Sequence, residues 1–482
     1  MNPTFQPTSL RIPRTLGTIF AAAILASMIL LLWASPAPAI DDWPQWMGPR
    51  MDGVWRESGV IDSFAESGPV FLWRQPIGAG YSGPSVVGKR LYVMDRTADK
   101  GQGGEVENGI KKAGQIAGGE RILCLDTDTG KTVWEKTYDC PYNIAYPTGP
   151  RCTPLVEGDR VYTLGAMGHL KCMNTDDGEI VWERLLTKDY DTRPPAWGFA
   201  SHPIVDGPRL IVPVGGKGSA VVAFDKQTGK EVWRSGTTSD IAYAPLVFYE
   251  SEGERQLIFW HGDGVDSLNS RTGQPYWHVT WPEQKAQPQA TTIITPRIVA
   301  NQIFFSEFYK GSLLLEIGSN PPAVKEIYRS FSTDPRHRRS LNALMTTPVV
   351  RDGRLYGVTG TGEFRCIDWD TGEMIWNQKT WMGKKRVTFA TVFIVENENR
   401  YFMFNDLGEL MLVRLTPEGI EELDRAPILA PTGVARGQKV VWSHPAFSGG
   451  KMYARNDEEI VCVDLRKPAA KKGHSPEQNG DR

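Results

Sequence analysis

Six cysteines and seven histidines are the side chains of this 482-residue sequence best able to do chemistry, and their spacing argues against most of it. Cys124, Cys172, Cys366 and Cys462 each stand two residues before an Asp or Asn in a recurring phrase, where Ala223 and Ser267 hold the same place in other copies. A position that accepts Cys, Ala and Ser is a small buried slot, not a reactive one. Such equivalent points also lie too far apart to bridge, since a disulfide needs Cα atoms within about 7 Å. Cys140 and Cys152 fall outside the phrase, both in one connection, and are the pair able to form a disulfide in an oxidising compartment. No Cys-x-x-Cys, His-Glu-x-x-His or Cys-x-x-Cys-His is present, so the sequence predicts neither a metal site nor a c-type haem. Asp95, Asp263, Asp406 and Asp457 sit near strand ends or in turns, where solvated turns and backbone caps are the ordinary reading. No Gly-x-Ser-x-Gly elbow is present, and the glycine-rich stretch Gly101–Gly119 has the wrong context for a phosphate loop. It reads as a polar insertion.

The remaining candidates are donors and aromatic rings in long connections, so the elements that carry them come next. Forty-nine glycines, 34 prolines and 16 tryptophans fit many short strands joined by tight turns. A net charge of −2 provides no basic field for nucleic acid.

One phrase recurs: an apolar strand ending in Asp or Asn, a turn with Thr-Gly or Asp-Gly, then a strand with Trp. It stands at Arg121–Trp134, Leu170–Trp182, Val221–Trp233, Val265–Trp277 and Phe364–Trp376, and in eroded form at Leu313–Tyr328 and Leu410–Leu423. Cys462-Val463-Asp464 begins an eighth copy without its final strand, which Val70–Gln75 supplies from the other end of the chain. The anchors are Trp73, Trp134, Trp182, Trp233, Trp277, Tyr328, Trp376 and Leu423. A proline opens the first strand of seven copies (Pro84, Pro154, Pro203, Pro245, Pro296, Pro348 and Pro445), with Val392 in the remaining one. Two markers agree on eight four-stranded units that cannot bury both sheet faces alone. The fold class is therefore all-β: an eight-bladed β-propeller closed by an N-terminal strand that completes the last blade, leaving no open edge. The expected organisation is a signal peptide over 1–39, an extension over 40–69, the propeller over 70–467 and a disordered tail over 468–482.

Trp preceded by Asp-x-x-Thr-Gly resembles the tryptophan-docking motif of the quinoprotein (PQQ-repeat) propellers, a superfamily that includes quinoprotein alcohol dehydrogenases and the outer-membrane assembly protein BamB. The run Asp42–Pro49 (DWPQWMGP) and Gly149–Pro154 (GPRCTP) is similar to secreted PQQ-like repeat proteins common in planctomycetes. The resemblance spans roughly Asp42 to Arg466. It implies the fold, and for the dehydrogenases PQQ with Ca²⁺; the adjacent Cys-Cys pair that those enzymes carry beside the cofactor is missing.

Arg11 and Arg14, the uncharged run Leu16–Trp33 and Ala37-x-Ala39 read as a Sec signal cleaved after Ala39, with an uncleaved anchor as the alternative. The mature chain is then expected in the periplasm or outside the cell, without stable membrane insertion. Parity locates the functional face. In each blade the first and third hairpins are short and stereotyped, whereas the opposite face carries the long, dissimilar segments Tyr138–Arg151, Thr187–Ser201, Pro282–Thr292, Ser330–Thr346 and Ile428–Ser443. These hold Tyr142, Tyr146, Arg151, Trp197, Arg338 and Trp442, and His202 and His444 stand just before the proline marker, where other blades have small residues. Arg151, Trp197, His202, Trp442 and His444 are accordingly the expected ligand-binding group, with no catalytic residue assigned. The reading favoured is a non-catalytic binding or scaffold propeller whose partner is an envelope protein or a small ligand. A PQQ-dependent alcohol or sugar dehydrogenase and a BamB-like assembly partner of outer-membrane proteins are the alternatives.

Overall fold

The computed structural model describes residues 41–97, 106–107, 110–111, 116–281, 290–330, 340–379, 389–435 and 437–468. The leader and all of the tail assigned from sequence except Pro468, and with them Arg338, lie outside the described residues, as does much of the Gly101–Gly119 stretch.

Eight four-stranded antiparallel sheets follow one another along the chain, each in the order in which its strands occur. Blades 1 to 7 begin at Ser85, Leu155, Ile204, Val247, Arg297, Val349 and Val392. Blade 8 contributes Ala446–Ser448, Lys451–Arg455 and Glu459–Asp464, and its outer strand is Val70–Pro76, paired to Glu459–Asp464 with Trp73 opposite Cys462. The ring closes as the repeats require.

The recurring phrase earns its residues at the joints between blades. The Trp73, Trp134, Trp182 and Trp233 indoles each donate to a backbone carbonyl of the next blade: Thr127 at 2.9 Å, Thr175 at 2.9 Å, Lys226 at 3.0 Å and Ser270 at 3.2 Å. Each ring also lies under that blade's turn glycine. A Cβ on Gly130, Gly178, Gly229 or Gly273 would come within 2.7 Å of the ring, and all four have positive φ. Only glycine meets both demands. In outer strands the residue before the anchor is skipped by a bulge, as between Cys124–Trp134 and Leu125–Thr132. The skipped side chains Leu72, Val133, Val181, Val232 and Ile375 therefore remain exposed.

The bulge corrects one anchor. In blade 7, Leu412 pairs with Asp424 and Val413 with Glu422, so Leu423 is the skipped residue and Asp424 holds the anchor position. Its carboxylate accepts the Phe64 amide at 2.6 Å, substituting a cap for an indole. The four repeat cysteines are fully buried, as their slot requires. The Cys140–Cys152 disulfide is not formed, because the two thiols face different clusters. Cys140 packs beside Tyr142 and Ile144 with its sulfur toward His169, and Cys152 belongs to the core between blades 2 and 3. Asp95 and Asp406 are buried caps rather than solvated turns, and Asp457 is a half-buried one: Asp95 accepts Gly78 N at 2.6 Å and Asp457 accepts Gly80 N at 3.1 Å.

The extension before the first strand is an integral part of the core. Trp43 pairs with Val86 of blade 1, Pro44 accepts from Val156 of blade 2, and Trp55 donates to Glu396 of blade 7. Glu57 accepts the Gly449 and Gly450 amides of blade 8. Trp43 and Trp55 are each 1% exposed. Among the described residues no helix is long and apolar enough to cross a membrane.

Candidate functional site

The segment Asp41–Trp55 bonds to the first strands of blades 1, 2 and 7 and thereby threads Trp46 into the axial channel. There Trp46 Nε1 donates to Thr295 Oγ1 of blade 5 at 2.9 Å. Its ring stacks on His202 at 4.5 Å between centroids and meets His444 at 4.7 Å. The indole is the floor of a cavity of about 400 Å³.

The walls come from the connections that enter the blades: Tyr81, Tyr146 and Arg151, Trp197 and His202, Tyr243, Ile293, Leu344 and Met345, Phe389 and Phe393, and Trp442 with His444. The structure thus brings Arg151, Trp197, His202, Trp442 and His444 into one cavity on the face of the inter-blade links. Tyr146 joins them, whereas Tyr142 is buried below as a partner of Glu120. Aromatic rings dominate the lining. Trp197 packs on Tyr243 at 4.9 Å, and Trp442 meets both Tyr81 and Tyr146 at about 6 Å.

The polar groups of the lining are few and already constrained. The Arg151 guanidinium donates to its own loop, to the carbonyls of Gly149, Ala145 (3.1 Å) and Tyr146 (2.6 Å), and lies over the Tyr81 ring. Its fork braces the loop rather than reaching free into the channel. His202 is 7% and His444 5% exposed. Burial, with His444 as a second imidazole nearby, lowers His202 to about 3, and burial lowers His444 to about 4. Both are neutral at physiological pH. Neither ring nitrogen of His202, nor Nε1 of Trp442, has a hydrogen-bond partner among the described residues. Behind the wall stand two carboxyls, Glu307 and Asp406, each raised by burial to about 7. The Glu307 carboxyl accepts the Thr291 hydroxyl, and Asp406 accepts the Thr391 amide at 3.3 Å.

Sequence reasoning missed Trp46 as the floor, although Trp43 and Trp46 stand out as tryptophans outside the anchors. It also missed two groupings of metal-type side chains that pairing brings together, Glu120 with Cys140 and His169, and His261 with Asp266 and His278.

The profile of the family described as "Outer membrane protein assembly factor BamB" matches residues 57–194, 118–341, 166–416 and 334–479. No curated protein matches the sequence. Among solved structures, quinohemoprotein alcohol dehydrogenase from Comamonas testosteroni is similar at a TM-score of 0.58 and 13% identity, covering 92% of this chain and 83% of that one. Quinohemoprotein alcohol dehydrogenase from Pseudomonas putida HK5 gives 0.57 and 12%, covering 90% and 82%. BamB from Moraxella catarrhalis gives 0.49 and 12%, covering 84% and 99%. At such identities the likeness to the two dehydrogenases speaks for the fold alone.

Proposed function

The chain belongs to the PQQ-repeat propeller family described as outer membrane protein assembly factor BamB, and we propose that within it this protein is an exported, non-catalytic binding propeller. Its ligand is an uncharged, ring-bearing group received in the axial cavity, carried by a small molecule or by a segment of an envelope protein. The observation that carries this reading is the lining: aromatic side chains from successive inter-blade links above a tryptophan floor, with few polar groups among them. Aromatic walls with a few fixed donors and acceptors are the usual composition of small-ligand sites. An anion is disfavoured, because the one guanidinium that the described residues bring to the lining is engaged by three carbonyls of its own loop.

PQQ fits this donor set poorly. It is a tricarboxylate that works with Ca²⁺, and Ca²⁺ takes about six to eight oxygen ligands, carboxylates foremost. Among the described residues the lining holds no carboxylate and no free cation. The dehydrogenase alternative therefore has the fold behind it and not the site. The assembly-partner alternative draws on the family's description, and under it the ring-bearing group would belong to an outer-membrane protein.

The test is capture from envelope extract and from glycan arrays with the wild-type protein and a Trp197→Ala/Trp442→Ala variant. A ligand held by the wild type and lost by the variant supports the reading. Dye-linked dehydrogenase activity after incubation with PQQ and Ca²⁺ would overturn it.

A further inference from the structure

Outside the cavity, the most constrained cluster of side chains is on blade 4. Asp266, in the third strand Gly264–Asn269, pairs directly across the sheet with His278 of the outer strand Pro275–Thr280. His261 follows the second strand, Glu254–Trp260, and turns back over the same edge. His278 Nδ1 lies 2.6 Å from Asp266 Oδ1, and His261 Nε2 lies 3.2 Å from Asp266 Oδ2. One donor atom from each residue falls within 4.8 Å of the other two. From this geometry we infer that His261, Asp266 and His278 form a binding site for one divalent transition-metal ion.

Three observations carry the assignment. The first is the orientation of His261. Its ring stacks on Phe259 at 4.7 Å, and Nδ1 lies 2.8 Å from Thr238 Oγ1, which lies 2.7 Å from Asp263 Oδ2. The Asp263 amide donates to Nδ1 at 3.3 Å, and these contacts fix the ring plane and aim Nε2 at Asp266 Oδ2, 3.2 Å away. An ion bound at Nε2 requires the ring proton on Nδ1, where the Thr238 hydroxyl is placed to accept it. A carboxylate behind a metal-binding histidine, reached here through a hydroxyl, is also the usual second layer of such sites.

Secondly, the sheet leaves room for the His278 ring. A Cβ on Gly264 would come within 2.4 Å of His278 Cε1, so glycine is the residue that lets this imidazole lie across the strand. The third observation is access. His261 is 2% exposed, Asp266 22% and His278 46%, which gives two ligands held by the fold and one at the surface, with the outer side open to water. Metal bonds of about 2.0–2.2 Å require donors about 3.3 Å apart, which a small opening of the His278–Asp266 contact provides. When the ion binds, His278 gives up its Nδ1–H···Asp266 bond by moving its proton to Nε2, toward Thr280 Oγ1 at 3.4 Å. Two imidazoles and one carboxylate select a transition ion over Ca²⁺ or Mg²⁺. The rival grouping of Glu120, Cys140 and His169 is closed: Glu120 already accepts the Tyr138 and Tyr142 hydroxyls and the Ala166 amide, and burial raises the Cys140 thiol.

The experiment is calorimetric titration of chelator-treated full-length protein with ZnCl2, together with the visible spectrum on adding Co²⁺. One ion per chain is expected. Asp266→Asn and His278→Gln should each weaken binding by at least about tenfold, and Thr238→Val by about 10–100-fold at unchanged stoichiometry. Cys140→Ser should leave binding unaltered. His278 lies on an exposed outer strand, so its variant is expected to melt like the wild type, and equal melting separates lost binding from lost folding. Absence of binding in the wild type, or equal affinity in His278→Gln, overturns the site.

Discussion

Replacing Trp46 by alanine should cut stability at neutral pH and also remove a pH dependence that the wild type owes to two buried histidines. The indole is half-buried, stacked between His202 and His444 and bonded to Thr295. Its truncation is expected to cost about 3 kcal/mol at pH 7, the low end for a buried aromatic. Both imidazoles have folded values, about 3 and about 4, below the ordinary 6.5. The stability they contribute is therefore complete above about pH 6.5 and is lost as pH falls toward the folded values. At pH 5 each has forfeited about 2 kcal/mol, or about 4 for the pair, at 1.36 kcal/mol per pH unit. Glu307 and Asp406 act in the opposite sense. Their folded values, raised to about 7, favour the folded state most near pH 4, and that advantage is lost as pH rises to 7. The wild-type curve alone is thus a near-cancellation, and the informative quantity is the difference between variant and wild type. Once Trp46 is gone, water reaches both imidazoles and their values return toward 6.5, whereas the two carboxyls are untouched. Urea unfolding at pH 7 and pH 5 should show a gap of about 3 kcal/mol that closes at the lower pH. A gap that stays constant between the two would refute the claim that this indole keeps the histidines dry.

Asp406→Asn keeps an acceptor for the Thr391 amide without an ionisable group, so its stability relative to wild type should rise by about 3 kcal/mol between pH 5 and pH 8 in the same assay. Trp233→Phe removes an indole bond to Ser270, whereas Trp376 Nε1 has no partner among the described residues, so Trp233→Phe should lower the unfolding free energy by about 1 kcal/mol or more beyond Trp376→Phe in urea unfolding. Deleting residues 40–76 unpairs the last blade, and the truncated protein should melt well below the full chain in calorimetry. N-terminal sequencing of the exported protein should begin near Ile40, and recovery of Met1 in a membrane-bound form would favour an anchor.

The blades were legible because each repeats two local marks, the strand-opening proline and the Trp after a Thr-Gly or Asp-Gly turn, and because the missing strand at one end matched the spare strand at the other. His202 and His444 stood out as large polar residues at a position that is otherwise small, and the fold then brought both to one indole. What escaped depends on register or on contacts remote in sequence. In blade 7 Gly419 stands four residues before Leu423, the spacing from Gly130 to Trp134, yet the pairing skips Leu423 and puts Asp424 in the anchor place. The Cys140–Cys152 expectation rested on a shared connection, whose two ends turn to opposite walls. Trp46 belongs to no repeat, and its partners Thr295 and His444 lie about 250 and 400 residues downstream. His261, Asp266 and His278 lie close in sequence but at no metal-motif spacing, and become neighbours only through an antiparallel pairing.

The first residues described bind the last. Trp55 and Glu57 find Glu396, Asn397, Gly449 and Gly450 some 340–390 residues later, and Val70–Pro76 waits for Glu459–Asp464. During synthesis this segment, with Trp43, Trp46 and Trp55, emerges long before anything exists to cover it. Contacts of such long sequence separation form slowly, and exposed apolar segments aggregate in the interval. The cavity therefore acquires its complete wall only when translation has reached His444, almost 400 residues after Trp46.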